Sequence, residues 1–152
     1  MTEVLYPVQD LIPHSDDMVL LDKIESYTEH RLQASLTITA DSLFAEDEGI
    51  PAWMGLEYMG QAIAAMAGIT ARNRGEPVRV GFLVSTRRYE PEVSHFSCGS
   101  QLTITVEVVT FNTTGLRVFE CSIYDKAYCL VKANLNVYMP ENIEEFMKES
   151  SK

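Results

Sequence analysis

Pro51-Ala52-Trp53-Met54-Gly55-Leu56-Glu57-Tyr58-Met59-Gly60-Gln61-Ala62-Ile63-Ala64-Ala65-Met66-Ala67-Gly68 is the stretch on which the fold turns. Apart from Glu57 and Gln61 it is apolar and crowded with small residues. A helix of that composition is expected to be buried on nearly all sides. Pro51 suits the first helical position, where a missing N–H is no loss. The helix should end before Gly75-Glu76-Pro77. An unpaired charge inside such a helix is costly, so it finds a partner or shifts its pKa. Glu57 is therefore the chain's best candidate for a chemical group rather than a solvated one.

Outward from the helix the pattern changes to strands. Met18 to Tyr27 reads as one strand. Arg31 to Thr39 alternates Leu32, Ala34, Leu36 and Ile38 with polar neighbours, the mark of a half-buried strand. Asp41 to Gly49 is an acidic loop. After the helix, Val78 to Tyr89 and Gln101 to Phe111 are strand-like, and Asn112 to Gly115 is a turn into Leu116 to Tyr124. Asp125-Lys126 makes a tight turn into Ala127 to Met139, where Cys129, Val131, Ala133, Leu135, Val137 and Met139 share a face. Pro140 to Lys148 is a short amphipathic tail. The order predicts an α+β fold: one antiparallel sheet curled around one long helix, as a single domain over residues 1–152. Tyr128, Leu130 and Tyr138 point outward, so the outer face or an edge at this last strand is expected to meet a second subunit.

Composition excludes several function classes. The net charge of −10 opposes nucleic acid and anionic membrane surfaces, both of which need clustered cations. Glu57 and Gln61 within the 51–70 segment oppose a transmembrane reading. Cys98, Cys121 and Cys129 are odd in number and lack CxxC spacing, so neither a disulfide framework nor zinc is expected, and a reducing cytoplasm is the default. The Met1-Thr2-Glu3 opening has no basic or apolar signal region. His14-Ser15-Asp16-Asp17 offers too few oxygen ligands for a hard cation. No metal and no cofactor are expected. Arg72, Arg74, Arg79, Arg87 and Arg88 form a basic stretch, read either as a solvated rim or as a docking patch for an acidic partner or a phosphate-bearing arm.

The helix motif resembles that of hot-dog-fold 3-hydroxyacyl-acyl-carrier-protein dehydratases. Those proteins carry a Pro-Gly opening, an acidic residue six positions after the Pro and a Gln four positions further on; Pro51, Glu57 and Gln61 match. Ile12-Pro13-His14 followed by Met18-Val19-Leu20-Leu21-Asp22 is similar to their Leu-Pro-His…Leu-Leu-Val-Asp stretch, and Gly99-Ser100-Gln101-Leu102 to their Gly-Asp-Gln-Leu. The resemblance runs from about residue 6 to 139 and is similar within the family to dehydratase subunits of the aryl-polyene pathway type. It implies a hot-dog fold, an acyl-thioester substrate on acyl carrier protein or coenzyme A, and a dimer. One departure is large. The family places a catalytic His eight positions before the Pro, followed by Phe; here Leu43 and Phe44 stand there. Ala52 replaces the usual Gly.

Dehydration needs a base for the C2 proton, an acid for the leaving C3 hydroxyl and donors for the thioester oxyanion. The resemblance makes Glu57 the acid. Helix-start amides near Ala52 and Trp53, with Gly55 and Gln61, are the expected oxyanion and substrate contacts. In family dimers the His and the acidic residue come from opposite protomers. A His-bearing paralogue in a heterodimer would then supply the base; within this chain, His14 and, less well placed in a loop, His95 are the substitutes. Arg87 and Arg88 are the expected carrier-docking residues, or structural partners of Glu57. Two other readings stay open: a thioesterase in which Glu57 activates water or attacks directly, and a non-catalytic acyl-binding subunit.

Overall fold

The computed structural model describes residues 19–76, 82–111 and 116–138. His14, the 112–115 turn and the 140–148 tail lie outside them.

Strands β1 (Lys23–Tyr27) and β2 (Arg31–Thr37) come first, then the two-residue β3 (Ile50–Pro51). A 3-10 turn over Ala52–Met54 leads into helix α1 (Gly55–Arg74). Strands β4 (Phe82–Pro91), β5 (His95–Phe96), β6 (Gln101–Phe111), β7 (Leu116–Asp125) and β8 (Tyr128–Tyr138) follow. Six of them make an antiparallel sheet in the order β1-β2-β6-β7-β8-β4, while β3 and β5 pair separately.

Alternation builds the sheet's inner face. Leu102, Ile104 and Val106 of β6 are buried beside Leu32, Ala34 and Leu36 of β2, and β7 and β8 add Phe119, Ile123, Val131 and Leu135. The helix lies on this face, with Tyr58, Met59, Ile63, Met66 and Ile69 buried against it. Packing rather than propensity forms the helix. Gly55, Gly60 and Gly68 each cost about 1 kcal/mol against Ala. Burial of each large apolar side chain returns roughly 1.5–3 kcal/mol, so burial wins. Tyr27 and Thr70 hydroxyls, 2.6 Å apart, tie β1 to the helix. Gly75 at φ 67° ends it in the left-handed conformation that glycine adopts without penalty.

Three expectations are corrected. Residues 19–22 belong to no strand, so β1 starts at Lys23. The last strand offers its outer face but no edge to a second subunit: β8 is paired on both sides, by β7 and β4, and the edges are β1 and β4. The helix is not buried on nearly all sides. Trp53 and Gly60 are exposed, and Glu57, Ala64 and Ala67 only partly covered. The spacing of these five, alternately four and three, aligns them in one open stripe.

Candidate functional site

Strand pairing fixes the start of the helix. Pro51 lies opposite His95 in the β3–β5 ladder. The Ala52 N–H donates to the Ser94 carbonyl at 2.9 Å. The Ala52 carbonyl in turn accepts the Tyr89 hydroxyl of β4, and the Tyr89 oxygen is bonded by the Leu56 backbone. Burial pushes the Tyr89 phenol up to about 12, against the opposing pull of that backbone bond and with a further push from Tyr58. Burial alone pushes Tyr58 up to about 12. Both phenols therefore stay neutral donors at ordinary pH.

Gly55 sits directly under this junction. A Cβ there would run into the Tyr89 hydroxyl and lie 2.8 Å from Ile123 Cδ1. Its absence of a side chain is a packing requirement, distinct from the substrate contact expected of it. Gly55 N–H also points back to the Ala52 carbonyl.

Glu57 is half-buried on the open stripe, in the first turn of α1. Gln61, one turn on, is buried; its Nε2 donates to Glu57 Oε1 at 3.4 Å, and its Oε1 accepts the Leu20 N–H at 2.9 Å. Gln61 thus links the segment before β1 to the carboxylate. One turn before Glu57, Trp53 is 58% exposed and meets the 55% exposed Phe44, with ring centroids 5.4 Å apart. Phe44 has φ 65°, a conformation rarely adopted by a bulky residue. Farther along the helix, Ile63, Met66 and Ala67 with Val108 and Phe119 line a cavity of about 160 Å³, rimmed by Glu29, His30, Arg74 and Arg117.

The structure brings Ala52, Trp53, Gly55, Glu57 and Gln61 together. It does not bring Arg88 to them. Tyr89 faces the helix, and its neighbour Arg88 lines the outer face of the sheet with Lys132 and Asn134. There Arg88 is gripped by Glu90 at 2.7 and 2.8 Å, which raises the guanidinium pKa and lowers that of the carboxyl. Arg88 is therefore not the structural partner of Glu57. The Arg87 side chain and His14 lie outside the described part. Of the expected oxyanion donors, the Ala52 N–H is already used by Ser94, which leaves Trp53, since the first amides of a helix have no acceptor within it. His95 belongs to a short strand rather than a loop. Its Nε2 lies 3.4 Å from a Glu46 oxygen and 3.5 Å from one of Glu48, and its Nδ1 lies 3.0 Å from Ser94 Oγ. Sequence reading missed Tyr89 and Ser94. Alternation assigns Tyr89 a face but not the reach of its hydroxyl, and a backbone acceptor such as Ser94 leaves no trace in side-chain pattern. Among the described residues, no cluster of His, Cys, Asp and Glu could hold a metal ion, and no helix is long and apolar enough to cross a membrane.

Comparison with known proteins agrees with this frame. Over nearly its whole length the chain resembles a chain of the dehydratase heterocomplex ApeI:P from Xenorhabdus doucetiae, with TM-score 0.87, 28% identity and coverage of 98% of this chain and 100% of that one. The PaaI protein of the Escherichia coli phenylacetic acid degradation operon shares the hot-dog fold, with TM-score 0.62, 14% identity and coverage of 76% and 81%. So does a hypothetical thioesterase solved with coenzyme A from Streptococcus pneumoniae, with TM-score 0.62, 13% identity and coverage of 77% and 84%. A search of curated proteins gives no match. The family model described as ApeP dehydratase matches residues 6–148, and the chain belongs to this ApeP-like dehydratase family.

Proposed function

We propose that this single hot-dog domain is one subunit of a 3-hydroxyacyl-acyl-carrier-protein dehydratase, working as a dimer with a His-bearing paralogue in a reducing cytoplasm. The observation that carries the reading is Glu57. It is half-buried on the open helix stripe, hydrogen-bonded by Gln61 and flanked by exposed Trp53, while Leu43 occupies the place of the family's histidine. A partner seated on that stripe would desolvate Glu57 and face it with the missing base. The partner's base takes the C2 proton, Glu57 protonates the departing C3 hydroxyl, and water leaves as the C2–C3 double bond forms. The Trp53 N–H is the donor for the thioester oxyanion. The acyl tail runs along α1 towards the cavity at Met66, nine residues on from Glu57 and so about 14 Å away. Free Cys98, Cys121 and Cys129 fit a reducing compartment. The heterocomplex known for the Xenorhabdus relative supports the two-chain arrangement. Carrier docking rests on Arg87 more than on Arg88, which Glu90 already holds.

The test mixes the purified chain with 3-hydroxyacyl-carrier-protein, alone and with the His-bearing paralogue, and follows the new double bond by absorbance. Turnover is expected only in the mixture, falling at least about 100-fold in Glu57→Gln. Full activity of the chain alone, indifferent to Glu57→Gln, would overturn the proposal. Release of free thiol from acyl-coenzyme A, abolished by Glu57→Ala, would move the assignment to a thioesterase.

A further inference from the structure

We propose that His95 is a positioning residue: it clasps the acidic loop 41–49 and thereby holds Phe44 against Trp53 beside Glu57. That the aromatic pair serves the reaction rests on the dehydratase reading; the clasp itself rests on geometry.

The loop needs such a fastening. Its C-terminal end is anchored by packing, because Gly49 at φ 118° lies so close to the Phe96 carbonyl that no side chain would fit. Its other backbone bonds stay within the loop or its first residues: Ala45 N–H to the Ser42 carbonyl, and Glu46 and Gly49 to each other. Yet Phe44 is kept at φ 65° with its ring half in water. An outlier of this kind persists only where its surroundings hold it. Ala45 packs against the core and Ser42 bonds Thr39 before the loop; the side chains that reach Phe44 and the acidic tip from elsewhere in the chain are the Trp53 ring and the His95 imidazole. His95 is itself fixed, by its ladder position opposite Pro51 and by Ser94 at Nδ1. With carboxylates at one ring nitrogen and a hydroxyl at the other, the ring has no nitrogen free to act as a base on substrate.

The two carboxylates stand at nearly equal distances, so either can serve when the other is lost. Among the described residues they are the charged groups within ion-pair distance of the ring; Pro51, Ser94 and Phe96 carry none.

Trp53 is the chain's single tryptophan, so its fluorescence reads the contact with Phe44 directly, without any partner or substrate. In His95→Gln, emission should be red-shifted and acrylamide quenching increased relative to the intact chain. Glu46→Gln and Glu48→Gln should each change little, while the double variant should match His95→Gln, with far-UV circular dichroism unaltered. Phe44→Ala should give the same red-shifted emission. In the complex with the His-bearing paralogue, the double variant should raise KM about tenfold, the loss of one modest interaction, and leave kcat nearly unchanged. Unaltered emission and quenching in the double variant would overturn the clasp. Altered fluorescence with unchanged KM would leave the clasp standing and remove the aromatic pair from the dehydratase site.

Discussion

Glu57 was legible from sequence because a lone carboxylate in an apolar helix stands out on energetic grounds alone. Its surroundings were not, since Phe44, Tyr89 and His95 reach the helix start from segments far along the chain. The buried Tyr58 phenol and the half-buried Tyr89 phenol have a measurable consequence. Their folded pKa of about 12 lies above the usual value near 10. The neutral form is favoured by folding, so this stabilisation is fully present below pH 10 and is lost as the pH rises from 10 through 12. Denaturant melts should therefore weaken over that window. A late phenolate absorbance component near pH 12 should shrink in Tyr58→Phe. Thiol chemistry gives a parallel test. Burial, aided by the neighbouring Glu120, pushes the Cys121 thiol up to about 12, whereas Cys98 is exposed. A thiol reagent at pH 8 should modify Cys98 quickly and reach Cys121 only on unfolding; rapid labelling of Cys121 in the native chain would contradict the buried assignment.

At the level of elements, periodicity told most of the story. The Gln101–Phe111 strand has the boundaries its alternation predicts, and the helix ends just before Gly75 as expected. The strand after the helix ends at Pro91, two residues beyond the expected Tyr89, and its expected start at Val78 lies outside the described residues. Its end at a proline is tolerable because β4 is an edge, where one missing donor faces no neighbour. The junction of β4 with the helix start is where substitutions should tell most. Tyr89→Phe removes the hydroxyl between the Ala52 carbonyl and the Leu56 backbone, and should cost about 1–3 kcal/mol in chemical denaturation. Gly55→Ala should destabilise by about 1–3 kcal/mol through overpacking, even though alanine is the better helix former. A more stable Gly55→Ala chain would show that the strand yields easily at this point.

For the whole molecule, fold class and layer arrangement were readable from sequence, but strand order was not. Placing β4 beside β8 joins segments about fifty residues apart, and no local pattern announces such a pairing. This is why the outer face and an edge both stood open as places for a second subunit at the last strand. Nor could periodicity foresee that one helix stripe stays open, because small residues look equally suited to a core and to a docking face. The stripe yields its own prediction. A Cβ at Gly60 would meet no atom of the described residues within 4 Å. Gly60→Leu should therefore leave the isolated chain at least as stable in thermal melts, since it relieves about 1 kcal/mol of glycine penalty. It should also abolish co-elution with the His-bearing paralogue in size-exclusion chromatography; undiminished co-elution would place the paralogue elsewhere. Were the paralogue to seat there, substitutions at a position that folding ignores would tune association alone, and the choice of mate could change without disturbing the core.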